Sequence, residues 1–150
     1  MALAACGVHG PSFEGRVMEV LNFDQSPTDW AYKPLGNVQV IVIWNGDYLS
    51  NPVDSELVCL LARRVRSGED GRFKAAGWWR LPDGRLIGAV EPHSYAYLPG
   101  FTEVHPRDVG DVVWMPAKGF HVFRREPGNR PELPETEWSN IGLCPTEPPV

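Results

Sequence analysis

Apolar residues occur along this chain in short runs that alternate with polar ones and are separated by turn residues. Phe13-Glu14-Gly15-Arg16-Val17-Met18-Glu19-Val20 sets Phe13, Val17 and then Leu21 among polar neighbours, which predicts a first strand. Asn22 to Lys33 is a loop rich in Asp, Ser, Pro and Thr that also carries Trp30 and Tyr32. Pro34-Leu35-Gly36-Asn37 reads as a turn. Val38 to Trp44 is β-branched almost throughout and apolar on both faces at its end, the pattern of a central strand, and Asn45-Gly46-Asp47 is expected to end it.

From Leu57 to Val65 two periods compete. Leu57, Cys59, Leu61 and Arg63 alternate as in a strand, while Leu57, Leu60, Leu61 and Arg64 fit two helical turns; the strand is favoured. Ser67 to Phe73 is a turn leading into another strand, Gly77-Trp78-Trp79 follows, and Pro82-Asp83-Gly84 is the next turn. Leu86–Val90 and Ser94–Leu98 supply two short strands divided by Pro92, and Pro99-Gly100-Phe101 closes that stretch. Val112–Met115 and Phe120–Phe123 are expected to form a hairpin around Pro116–Gly119. The pattern divides the chain into a leader (1–12), a β-sandwich domain (13–125) and a proline-rich extended tail (126–150).

Composition supports that division. Fifteen glycines and fifteen prolines in 150 residues disfavour long helices, while six Trp, six Phe and four Tyr supply the apolar area a core needs. The formal net charge is −5, and the two short basic clusters, Arg63-Arg64-Val65-Arg66 and Arg124-Arg125, read as solvated strand or turn positions. Nothing here makes the basic field that nucleic-acid binding requires. No window is long and apolar enough for a transmembrane helix.

Four segments in order carry a family resemblance: Gly15-Arg16-Val17, Pro34-Leu35-Gly36-Asn37-Val38-Gln39-Val40, Ser67-Gly68-Glu69-Asp70-Gly71-Arg72-Phe73 and Tyr97-Leu98-Pro99-Gly100-Phe101. Over roughly residues 13 to 104 the chain resembles the carboxypeptidase regulatory-like domain. The resemblance implies an all-β, transthyretin-like, seven-stranded Greek-key sandwich, with Gly71 in the left-handed turn conformation and Phe73 the first inward side chain of the next strand. Two departures stand out. Gly68 replaces the usual Asp, and the 22–33 loop is longer than a family turn, which marks that loop as the place for individual function.

The cysteines bear on location. Leu3-Ala4-Ala5-Cys6 resembles a bacterial lipobox, whose cysteine is lipidated, although the charged and apolar regions of a signal peptide do not precede it; the alternative is an ordinary thiol in a terminal segment. With Cys6 lipidated, Cys59 and Cys144 form an even pair that can close a disulfide in the oxidising periplasm; the alternative is two buried thiols in a cytosolic domain. The spacing gives no support to a zinc site.

No catalytic motif is present. There is no His-Glu-x-x-His, no Gly-x-Ser-x-Gly, and His9, His93, His105 and His121 are widely spaced and read as ordinary loop and strand residues. The enzymes that share the sandwich, hydroxyisourate hydrolases and intradiol dioxygenases, carry a Tyr-Arg-Gly-Ser end and a His-x-His pair that this chain lacks. Neither a metal nor a cofactor is expected. Trp78 and Trp79 must point to opposite faces of a strand, and with Trp30, Tyr32 and Tyr48 they could form an exposed aromatic platform for a protein or glycan partner; the alternative is that one Trp fills the core and the proline-rich tail packs on the other. The sequence thus implies a non-catalytic binding or structural module of the bacterial cell envelope, facing the periplasm and touching the membrane through its lipid only. An immunity or inhibitor protein that blocks a partner enzyme is the second reading, and an enzyme of this fold the third.

Overall fold

The computed structural model describes residues 7–49, 51, 53–80, 90–109, 114 and 116–131. Among them the regular elements are ten strands and two short 3-10 turns, with no α-helix. The strands are β1 (Val8–Gly10), β2 (Phe13–Val20), β3 (Tyr32–Pro34), β4 (Gln39–Leu49), β5 (Ser55–Arg66), β6 (Arg72–Ala75), β7 (Trp78–Arg80), β8 (Glu91–Tyr97), β9 (Phe101–Glu103) and β10 (Phe120–Arg125). This exceeds the seven expected because β1, β3, β7 and β9 have three residues each, too few for an alternating pattern to register. β1 also carries regular structure into the expected leader, pairing antiparallel with β7.

The architecture is all-β and β-sandwich-like. A three-stranded sheet runs β5-β4-β8, and a five-stranded sheet runs β3-β2-β10-β9 with β6 also paired to β2. The main core lies between them: Val38, Val40, Val42 and Trp44 from one side meet Phe13, Val17, Phe73, Ala75 and Phe123 from the other. Strict alternation in β2 and β10 gives the larger sheet a second apolar face, where Val20 and Val122 pack with Trp30 and Val104. β2 and β10 are internal strands for that reason.

Three local expectations need correction. β4 does not stop at Asn45-Gly46-Asp47; a bulge between Trp44 and Asn45 absorbs the change of register and the strand continues to Leu49. Pro92 lies within β8 rather than ahead of a strand that starts at Ser94; among the described residues β8 pairs with β4 alone, an edge position that tolerates a residue without an N–H. β10 is flanked by β2, in parallel, and by β9 among the described residues, and the other arm of the expected hairpin lies, except for Trp114, outside them. The 22–33 segment is not loop throughout, since Tyr32 and Lys33 begin β3; the Asn22 side chain closes the part before it, accepting from Ala31 N–H at 2.6 Å and donating to the Asp29 carbonyl at 3.0 Å. Val112, Val113, Met115, the expected Pro82-Asp83-Gly84 turn, Leu86–Ala89 and most of the tail lie outside the described residues.

The turn before β6 agrees with expectation. Gly71 has φ +79°, and a Cβ there would come within 2.5 Å of the Val17 carbonyl oxygen. Phe73 follows as a buried core residue. Buried Ser67 ties this turn to the one at 34–37, donating to the Leu35 carbonyl at 2.7 Å and accepting from Val38 N–H at 2.9 Å.

Candidate functional site

The aromatic residues expected to form one platform are dispersed. Trp30 is buried on the outer face of the larger sheet, its Nε1–H donating to the Gln25 carbonyl at 2.9 Å and its ring edge-on to Trp114 and Tyr32. Tyr48 and Trp78 meet at a different place, around Arg80, whose guanidinium donates to Tyr48 Oη at 3.2 Å and lies 5.4 Å from the Trp78 ring. Trp78 packs edge-on to Trp44 in the core, while Trp79 points the other way and is 49% exposed. The two tryptophans therefore do face opposite sides, but Trp30 has no exposed ring face to offer.

Cys59 lies on β5 against the outer face of the three-stranded sheet, beside Ile41, Ile43 and Ala62, and is held in a disulfide. Cys6 and Cys144 lie outside the described residues.

Two polar features were not visible in the sequence. The first is a chain of side chains from three strands. His121 on β10 sits opposite Val17, Ser94 on β8 opposite Val42, and Glu103 on β9 opposite Phe123, so all three turn toward the space between the sheets. His121 Nδ1 is 2.6 Å from Glu103 Oε1, and Nε2 is 2.7 Å from Ser94 Oγ. A carboxylate can only accept, so Nδ1–H donates to Glu103, while Nε2 shares the second hydrogen bond with the Ser94 hydroxyl, which can act as donor or acceptor. The connectivity is that of a Ser–His–carboxylate array. Its setting is a core seam: the imidazole is nearly buried, and the Phe73 ring packs beside it, tilted, at 6.1 Å. The array ties the edge strand of one sheet to β9 and β10 of the other.

The second feature is a cleft of about 490 Å³ on the larger sheet, where β2, β6 and the turn before β10 converge. Arg16, Arg72, Lys74 and Lys118 line it with a single carboxylate, Glu14, and Phe73 and Phe120 form apolar parts of its wall. Register places Arg16 directly opposite Arg72, and Glu14 directly opposite Lys74, all four exposed. Glu14 neutralises Lys74 at 3.4 Å, and Asp70 lies 3.8 Å from Arg72. Arg16 and Lys118 make no ion pair among the described residues. Such side chains donate hydrogen bonds and accept none, so the cleft is built to hold acceptors.

Elsewhere Glu19 is a buried carboxylate answered by Arg125, at 3.1 Å from Nε and 3.4 Å from Nη2. The Glu19 hydrogen bond, and then its charge, hold the Arg125 guanidinium above its ordinary pKa. Among the described residues no group of three His, Cys, Asp or Glu is placed to hold a metal ion.

Comparison with known proteins adds no relative. No protein-family model matches the chain, and no curated protein and no solved structure does so either.

Proposed function

We propose that this chain is a non-catalytic binding or structural module of the bacterial cell envelope, a periplasm-facing lipoprotein that resembles carboxypeptidase regulatory-like domains and is tethered through Cys6. The observation that carries the reading is the disulfide at Cys59, since disulfides persist in oxidising compartments and are rare in the cytosol. The β-sandwich-like architecture supports it, because it presents loops and an open cleft on a rigid frame. In this reading Cys144 is the partner of Cys59, which leaves Cys6 for lipid. A single acyl chain gives marginal attachment, so stable tethering takes the several chains of a bacterial lipoprotein cysteine.

Mass spectrometry of the protein isolated from its own membranes tests the reading. A diacylated N-terminus at Cys6 together with a Cys59–Cys144 peptide in a non-reducing digest is the expected result. An unmodified Met1, or a Cys6–Cys59 peptide, would overturn the lipoprotein assignment. Cys59→Ala is expected to cost about 2–4 kcal/mol of stability in urea unfolding under oxidising conditions and nothing under reducing ones.

A further inference from the structure

We propose that the cationic cleft between β2, β6 and the 117–120 turn binds a phosphate-bearing ligand. This deepens the binding reading above by naming the chemistry recognised.

Like charges placed directly opposite one another on two paired strands repel, and natural sheets avoid the arrangement. Here Arg16 and Arg72 occupy opposed positions on one exposed face, in a chain whose overall charge is negative. Asp70 answers only one of them, at 3.8 Å from Arg72 Nε, while Arg16 among the described residues reaches no more than the Asp70 backbone carbonyl at 3.5 Å. Lys118 overhangs the same cleft without an ion pair among the described residues. The charge in excess therefore rests on Arg16 and Lys118, beside an Arg72 whose carboxylate partner is exposed and 3.8 Å away, so that cations from three separate parts of the chain meet here.

The geometry selects phosphate among anions. Two guanidinium forks on neighbouring strands present several planar N–H donors, which match a group with three acceptor oxygens and up to two charges better than a single carboxylate. Phe120 lies next to Arg16 in register on the adjoining strand and lines the cleft, so a phosphate on the arginines leaves the organic part of the ligand against an aromatic ring. Either a lipid headgroup or a soluble phosphate ester supplies that chemistry.

Calorimetric titration of the full chain with inorganic phosphate, glucose 1-phosphate and sodium acetate, and co-sedimentation with phosphatidylcholine vesicles with and without phosphatidic acid, test the proposal. A saturable Kd on the order of 1 mM for the phosphate probes, weakened by added NaCl, is expected. Arg16→Ala and Arg72→Ala should each weaken it about tenfold. Glu14→Gln, which removes the carboxylate facing the cleft, should strengthen it. Binding only to phosphatidic acid vesicles would identify a headgroup ligand, and binding of the soluble ester a free one; both uphold the site. Equal affinity for acetate, no saturable binding of any phosphate probe, or binding unchanged in both arginine variants would overturn it. None of these results touches the N-terminus at Cys6 or the disulfide, so the site and the envelope reading can fail separately.

Discussion

Removing the Ser94 hydroxyl tests whether the chain from Ser94 through His121 to Glu103 fastens the two sheets. Ser94→Ala deletes one atom and opens little space, so its effect reports the hydrogen bond almost alone. The atom left behind is His121 Nε2, in a nearly buried ring that Phe73 flanks and Glu103 fixes through Nδ1. A buried polar atom stripped of its partner costs about 1–3 kcal/mol, against about 0.5–1.5 for a bond that water can replace. At about 2 kcal/mol, the midpoint of thermal unfolding of a domain this size falls by roughly 4–8 °C. Urea unfolding followed by the fluorescence of the six tryptophans, with the disulfide kept oxidised, measures the free energy directly. Glu103→Gln keeps an acceptor beside Nδ1 and should cost less than Glu103→Ala. Ser94→Ala and Glu103→Ala should be non-additive by at least about 0.5 kcal/mol, because both act on one imidazole. A loss below about 0.5 kcal/mol for Ser94→Ala, with additive effects, would refute a fastening role.

Two further outcomes follow from the same reasoning. Gly71→Ala should destabilise by about 2 kcal/mol or more in thermal unfolding, since the residue combines φ +79° with a methyl position 2.5 Å from the Val17 carbonyl oxygen. Arg125→Met should lower the urea midpoint by abandoning the buried Glu19 carboxylate, and the double variant Glu19→Gln with Arg125→Met should recover part of the loss.

Much of the frame is legible in the residues because it depends on local pattern. β2 spans the Phe13–Val20 segment that its apolar spacing delimits, Gly71 takes the turn conformation its position requires, and Val38 to Trp44 supplies the central buried face. Where the reading failed, the deciding partner is distant in sequence. Asn45-Gly46-Asp47 has the composition of a turn, but pairing with β5 and a bulge carry the strand through it. Trp30 sits in a polar loop, yet the outward residues of β2 and β10 make an apolar bed for it. His121 looks like an isolated histidine until β8 and β9 bring Ser94 and Glu103 to its two nitrogens. The cleft was hidden for the same reason: its cations come singly or in alternate positions from β2, β6 and the 118 turn, so no window of the sequence holds a basic run.

The parallel pairing of β10 with β2 governs the order in which the chain can fold. Arg16 and Phe120 become neighbours only after about a hundred intervening residues are in place, so the larger sheet gains its interior strand last. Closing so long a loop makes folding slow and leaves both apolar faces of β2 without their β10 partner until then. A chain still emerging from a ribosome can form the β4–β5 hairpin but cannot complete this sheet. That delay makes the waiting β2 strand the place where a holding chaperone would be needed.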